Sequence, residues 1–277
     1  MPLRPGEVTC APGSTTLVTL SLDALDVSTE LQVEDPALAA TLSRLLALLT
    51  TYLPPSRPSG VVTVRGLGPF EVLVAGGRDV VPTPAMAISR TLAALNLRAT
   101  SLTPLLAFHG AVLGLGGVGL VVPAASGRGK STLTAALLQN GWIYGSDEAL
   151  GLRWETGETV TYPRPYSLSR WSSEAARVSG GVQGADETHH LPVSCLGWGV
   201  PVAHVVLLER GELPVLRPVH RASALVELVQ RSFTLHRDPG RALHLYADLL
   251  RSASCWRLTL GSPMAAAELL TRRLAEG

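Results

Sequence analysis

Seven consecutive residues carry the first chemistry that can be read from this chain: Ser126-Gly127-Arg128-Gly129-Lys130-Ser131-Thr132. Glycines at two of these places let a loop turn so that successive backbone N–H groups converge on an anion, as phosphate-binding loops do. Lys130 would then reach the β- and γ-phosphates of a nucleoside triphosphate, and the Ser131 hydroxyl would ligate Mg²⁺. All seven are candidate cofactor-binding residues, and the cofactors they imply are ATP and Mg²⁺. Lys130 is the only lysine in 277 residues; every other basic side chain apart from the histidines is arginine. An ammonium is a compact point charge on a flexible stem, which a planar guanidinium cannot imitate inside a tight loop. The bland alternative, a Gly/Ser-rich turn before a helix, does not account for that lysine. One position departs from G-x-x-x-x-G-K-[ST]: its first glycine is Ala124 here. Alanine is tolerated there if φ is negative and costly if φ must be positive.

Such residues need a strand to deliver them and a helix to receive them. Gly119 to Pro123 is a short apolar, β-branched run suited to a buried strand. Leu133 to Asn140 is helical in composition, and Gly141 is a natural residue to stop it. The helix would point the positive end of its dipole at the bound phosphates. A further strand through Trp142-Ile143-Tyr144 leads to Ser146-Asp147-Glu148, where two carboxylates follow closely on the loop. Without the loop, these acids would be a solvated turn.

The short spacing from Ser131 to Asp147, with His109-Gly110 upstream, resembles the catalytic domain of the HPr kinase/phosphorylase family. The resemblance runs from about His109 to Leu152. It continues more loosely through Tyr162-Pro163-Arg164-Pro165-Tyr166-Ser167-Leu168, which is similar to the P-R-P-x-S-L stretch of HPr-kinase-like proteins, the lasso-peptide tailoring kinases among them. It implies an α/β fold: a P-loop kinase core of the HPr kinase/PEP carboxykinase type, a mixed sheet with flanking helices. By the same resemblance Asp147 is the base that accepts the proton of an attacking hydroxyl, and Glu148 supports Mg²⁺ with Ser131. The order of these two roles stays open, because they are neighbours at a strand end. His109 matches the family's active-site histidine and would orient the reacting groups; taken alone it would read as a structural histidine. Arg164 is a bidentate donor to the transferring phosphoryl group, or else a salt-bridged residue between two turn prolines. No stretch resembles the E-x-R-G-L-G segment of bifunctional HPr kinases, so the reverse, phosphorolytic reaction has no support and HPr itself is disfavoured as substrate.

Composition narrows the remaining classes. The chain is 46% hydrophobic and 16% charged, enough to bury a sizeable core. A formal net charge of +1 with scattered arginines argues against nucleic acid as a partner. No long uncharged apolar run or leader-like start is evident; the apolar stretch 37–53 contains Arg44 and reads as a core helix, so no membrane is expected. Cys10, Cys195 and Cys255 lack metal-ligand spacing, which fits a cytoplasmic protein with reduced thiols.

In chain order, residues 1–100 form a small α+β unit: strands near the start, a helix from Ala37 to Tyr52, a hairpin of Val61–Val64 with Phe70–Val74, and a helix from Pro84 to about Leu97. This unit does not resemble the N-terminal domain of HPr kinase, and it shows no chemistry of its own. Residues 101–277 are the catalytic domain. Within them, 172–190 is polar and Gly-rich and reads as a mobile loop that covers or presents a substrate. His189-His190, with no third ligand nearby, are loop residues, and Glu209 is a turn residue. Ala203–Glu209 is a buried strand with Pro214–Pro218 its partner; helices over 223–233 and 241–252, a strand over 255–260 and a helix over 263–275 complete the chain. The function these readings imply is an ATP- and Mg²⁺-dependent kinase that phosphorylates a hydroxyl, preferably serine of a peptide or small protein, as in lasso-peptide tailoring. Homo-oligomerisation is left open. The alternatives are a small-metabolite hydroxyl kinase and a regulatory module that binds ATP without transferring it.

Overall fold

The computed structural model describes residues 17–51, 58–192 and 201–275. Cys10, Cys195, Tyr52 and most of the loop expected over 54–60 lie outside them. The first part is a five-stranded sheet in the order β1 (Val18–Ala24), β2 (Val27–Val33), β3 (Val61–Arg65), β4 (Phe70–Val74), β5 (Gly77–Val81). All neighbours are antiparallel except β2 and β3. Its helices announce themselves through caps. In α1 (Pro36–Leu45) the Asp35 carboxylate accepts from Leu38 N–H, and in α2 (Pro84–Leu102) the Thr83 hydroxyl accepts from Met86 N–H, with proline opening each first turn. α1 ends earlier than its apolar run, passing into a 3₁₀ turn over Ala47–Leu49.

The second part is built on an eight-stranded mixed sheet. Its strands are β6 (Leu106–Leu115), β7 (Val118–Pro123), β8 (Ile143–Ser146), β9 (Ala149–Leu152), β10 (Thr159–Thr161), β14 (Val202–Glu209), β15 (Val215–Pro218) and β16 (Ser254–Thr259). The order is β10-β9-β6-β7-β14-β16-β15, with β8 also on β6. β6 is buried along almost its whole length, the pattern of a central strand covered on both faces. One face packs α3 (Lys130–Gln139) and α7 (Pro263–Ala275); the other packs α5 (Arg221–Arg231) and α6 (Pro239–Ser252). Pro214–Pro218 was expected against the strand ending at Glu209, but β15 pairs with β16, which lies between them.

The segment read as a mobile loop is structured. α4 (Arg170–Ala175) follows β11 (Tyr166–Ser169), and β12 (Val182–Gln183) and β13 (Thr188–Leu191) complete a small antiparallel sheet. Strands of two to four residues are too short to show an alternation, and the glycines serve the turns: Gly180 and Gly181 both have positive φ.

The two parts share a core. Leu42, Leu31, Phe70 and Leu95 pack in one cluster with Leu105, Ala149, Val160 and Tyr162 from the larger sheet. Within the larger part, at the start of β6, the buried Thr234 hydroxyl accepts from Ala107 N–H (2.8 Å) and donates to Leu105 C=O (2.9 Å). Thr234→Val keeps the shape and removes both bonds, leaving two buried backbone groups unpaired. It should cost about 1–3 kcal/mol of stability, read as a lower urea midpoint at unchanged slope. An unchanged midpoint would mean that water reaches these groups.

Candidate active site

β7 delivers the loop and α3 receives it. Gly127 (φ 75°) and Gly129 (φ 92°) both lie in the left-handed region, and Gly129 is the residue that caps α3. A Cβ at Gly129 would stand 2.8 Å from Leu260 Cδ1, a side-chain end that can shift, so it is the positive φ that calls for glycine here. Ala124 is buried and is not among the residues with positive φ, so alanine costs nothing at the loop's first position. Ser126, Gly127 and Arg128 are exposed, while Lys130 and Thr132 are buried. Arg210, just beyond β14, donates to Gly127 C=O (3.0 Å) and pins the loop. Thr132 donates to Ser172 Oγ (2.9 Å), linking α3 to α4.

The acidic pair meets this loop where β8 passes into β9. Lys130 Nζ donates to the main-chain oxygen of Asp147 (2.8 Å), and Ser131 Oγ donates to its carboxylate (3.0 Å). Tyr144 O–H donates to the other carboxylate oxygen (2.9 Å). Burial pushes the Lys130 ammonium below its ordinary range, against the pull of the Asp147 and Glu148 carboxylates. Burial and the Asp147 carboxylate together push the Tyr144 phenol well up, so it stays a donor.

Glu148 faces the other way. Its Oε1 accepts from Asn96 Nδ2 (3.2 Å) and lies 3.5 Å from His109 Nδ1; its Oε2 accepts from Arg164 (2.9 Å). Burial would raise this carboxyl, but the hydrogen bond from His109 and the charge of Arg164 outweigh it and hold the value at about 2. Burial alone would lower Arg164; the Asp147 and Glu148 carboxylates raise it instead, so the guanidinium stays charged. Arg164 also donates to Ser167 Oγ (3.1 Å).

The structure thus brings Lys130, Ser131, Asp147, Glu148, His109 and Arg164 into one cluster. Asp147 sits on Ser131, and Glu148 sits with His109 and Arg164. Glu209, read as a turn residue, pairs with Arg217 (2.8 Å). His190, read as a loop residue, lies buried on β13 between Ser167 Oγ (2.8 Å from Nδ1) and Ser89 Oγ (3.0 Å from Nε2). Sequence reasoning missed Tyr144, Ser89 and Asn96. The last two come from the part of the chain thought to lack chemistry. Their only trace was two polar residues seven apart, on one stripe of the helix.

Among the described residues no cluster of three or more His, Cys, Asp or Glu could hold a metal by itself. A hydroxyl and a carboxylate 3.0 Å apart, Ser131 and Asp147, are hard oxygen donors that suit Mg²⁺. Mg²⁺ commonly takes only one or two protein ligands beside phosphates and water, so the residues fit the group. Asn96 Oδ1 and His109 Nε2, which flank Glu148, are buried without a protein partner among the described residues, as expected of atoms that a bound group would satisfy.

A glycine-turned loop at a helix N-terminus, on a mixed sheet and facing paired acids, marks a P-loop α/β protein. No protein-family profile matches the chain. Curated relatives do. The chain is 31% identical over 123 residues to the HPr kinase/phosphorylase of Shouchella clausii, covering 42% of this chain and 38% of that one. It is 31% identical over 127 residues to the HPr kinase/phosphorylase of Geobacillus kaustophilus, covering 44% and 39%. The chain is HPr kinase-like over that stretch, and it spans about two fifths of the length of the curated relatives it matches. The HPr(Ser) kinase/phosphatase from Coxiella burnetii aligns over 61% of this chain and 91% of that one, with 10% identity and a TM-score of 0.28, a likeness too loose to argue from. No described helix is long and apolar enough to cross a membrane.

One consequence of the site's burial is measurable without any ligand. Burial, with Arg164 nearby, lowers His190 from 6.5 to about 4. Above pH 6.5 the imidazole is neutral in both folded and unfolded chains. Between about 6.5 and about 4 the unfolded chain takes up a proton that the folded chain refuses, so His190 withdraws stability as the pH falls through that window. Urea unfolding at pH 7 and pH 5 should show a larger loss for the wild type than for His190→Asn. Equal losses would mean that the folded site protonates as readily as the unfolded chain.

Proposed function

We propose that this chain is an ATP- and Mg²⁺-dependent kinase that transfers the γ-phosphoryl group to a hydroxyl, preferably of serine in a peptide or small protein. The observation that carries the reading is the single cluster of Lys130, Ser131 and Asp147 with Glu148, His109 and Arg164. Phosphoryl transfer asks for positioning and charge neutralisation more than for covalent chemistry, and this cluster supplies both. The loop amides of 126–132 and the Lys130 ammonium bind the phosphates. Ser131 and Asp147 would hold the metal, which when bound neutralises charge building up on the phosphoryl oxygens. Arg164 presents a cation that cannot lose its proton. His109 and Glu148 orient the acceptor, and the acidic pair takes its proton late, in a loose transition state. The division into residues 1–100 and 101–277 belongs to the same proposal, with the smaller unit contributing to the site through α2.

The peptide acceptor is supported by the relatives, whose names carry a protein substrate, HPr. The absence of the E-x-R-G-L-G stretch argues for an acceptor other than HPr, and the P-R-P-x-S-L-like segment favours a lasso-type precursor peptide. Incubation with ATP, Mg²⁺ and serine-containing peptides, read by mass spectrometry, should show about +80 Da on a peptide. Addition to a metabolite alone would favour the small-molecule kinase, and nucleotide binding with no transfer the regulatory module. Lys130→Ala should slow transfer by about a hundredfold or more; because it also removes a buried cation beside two carboxylates, its melting temperature should fall, and transfer is compared well below it. Full turnover by this variant would remove the loop from the chemistry.

The acids can be told apart. With Asp147 on the metal side, Asp147→Asn should raise the Mg²⁺ requirement, and added Mg²⁺ should restore part of its rate. Glu148→Gln should lower kcat by about 10²–10⁴ without metal rescue. The opposite pattern would return the base to Asp147 and the metal to Glu148.

A further inference from the structure

Six side chains form a hydrogen-bonded ring that begins and ends on α2. Asn96 Nδ2 donates to Glu148 Oε1 (3.2 Å), and Arg164 donates to Glu148 Oε2 (2.9 Å) and to Ser167 Oγ (3.1 Å). Ser167 Oγ and His190 Nδ1 are 2.8 Å apart, and His190 Nε2 and Ser89 Oγ are 3.0 Å apart. Ser89 Oγ also accepts from Ala185 N–H (2.8 Å), which ties the turn before β13 to the same helix. Neutral His190 needs one donor and one acceptor, and two serine hydroxyls provide them in either sense.

We infer that α2 is a positioning element of the proposed kinase site, with Asn96 setting the orientation of the Glu148 carboxylate and the Ser89–His190–Ser167 chain setting that of Arg164. The six side chains come from five elements: α2, which supplies both Ser89 and Asn96, β11, β13, the β8–β9 turn and the 162–165 segment. No single element fixes the Glu148–Arg164 pair by itself. Arg164 can turn about its long stem, and a carboxylate can rotate about its terminal bond. A second partner on each, the Asn96 donor for Glu148 and the Ser167 acceptor for Arg164, is what selects one arrangement. Asn96 is suited to this because its amide donates without adding charge beside Lys130 and Arg164. The backbone of α2 is held independently by the shared core, through Ile88, Leu92, Leu95 and Ala99, so the helix is a fixed support for the two polar residues.

The inference rests on the kinase reading and is tested so that the two can fail separately. Wild type, Asn96→Leu, Glu148→Gln, the double variant Asn96→Leu/Glu148→Gln and the control Leu97→Ala (exposed, one residue along α2) are compared. Four quantities are read: melting temperature, affinity for a fluorescent ATP analogue with Mg²⁺, transfer from ATP to a serine-peptide pool, and the side-chain N–H signals of Arg164 in ¹⁵N NMR. Asn96→Leu should keep the melting temperature and nucleotide affinity of the wild type. It should slow transfer by about 10–100-fold, the usual loss when a partner of a reacting group is removed. Its Arg164 N–H signals should broaden and exchange faster with solvent, with no nucleotide present. In the Glu148→Gln background the same substitution should add little, because its effect runs through that carboxylate. Leu97→Ala should match the wild type throughout. If the wild type neither binds the nucleotide nor transfers phosphate, the kinase reading falls and this inference falls with it. If the wild type transfers but Asn96→Leu is as fast, or its loss adds in full to that of Glu148→Gln, or its Arg164 signals are unchanged, the inference alone is overturned.

Discussion

Two carboxylates, one ammonium and one guanidinium share a space that is largely closed to water, and much of the larger unit's local structure answers to that concentration of charge. An isolated charge in such a place is prohibitive, and a pair is tolerable only when the remaining donors and lone pairs are satisfied. The chain meets this with neutral partners. Tyr144 and Ser131 donate to Asp147, Asn96 donates to Glu148, and Ser167 accepts from Arg164. The backbone joins in, with Lys130 donating to Asp147 C=O and Gly110 N–H to Glu148 C=O (3.1 Å). Removing a charged partner leaves its opposite uncompensated, so the strands that present them are held in register with one another. β6, β8 and β9 meet at this point: β6 pairs with both of the others, on either side of Asp147 and Glu148.

How much of this was legible in the sequence follows from how local each feature is. The loop, its strand and its helix are contiguous, and glycine, lysine and hydroxyl at fixed offsets leave few alternatives for them. The caps of α1 and α2 are likewise set by two or three adjacent residues, and both helices start where Asp35-Pro36 and Thr83-Pro84 place them. The ring around Glu148 is different in kind. Ser89, Asn96, Ser167 and His190 come together only through the tertiary fold, and each alone is an ordinary polar residue. β12 and β13 were read as loop because their strands are shorter than one period of evidence. β15 was given to the wrong neighbour because β16, more than thirty residues later, inserts between β14 and β15. The positions of Asp147 and Glu148 were legible; which way each carboxylate faces was not, since that depends on Asn96 and Arg164.

The smaller sheet is bound to the larger one by the same logic of satisfied burial. Its core does not close on itself: Leu105, Ala149, Val160 and Tyr162 complete it from the other part. Ala149, the first residue of β9, follows Glu148 directly, so the apolar contact that joins the parts and the polar contact from Asn96 act on adjacent residues. Displacing α2 would open the core and unpair the carboxylate together. An element added to a P-loop core for packing alone would present an apolar face throughout. α2 instead presents Ser89 to His190 and Asn96 to the Glu148 carboxylate.

The choice of cations completes the argument. In a chain that otherwise uses arginine, the one lysine stands in the loop, where a compact point charge on a flexible stem fits within a tight turn. Burial lowers its pKa, and the Asp147 and Glu148 carboxylates beside it oppose that fall. Arg164 occupies the opposite situation. It must hold Glu148 and Ser167 at once, from two nitrogens in a fixed plane, and burial cannot neutralise it. Exchanging the two residue types would fail at both positions for different reasons. A guanidinium is too broad for the loop, and an ammonium cannot hold two partners in the plane that Arg164 imposes. The division between a point charge in the loop and a rigid fork on the other side is therefore the same division that separates the contacts of Asp147 from those of Glu148.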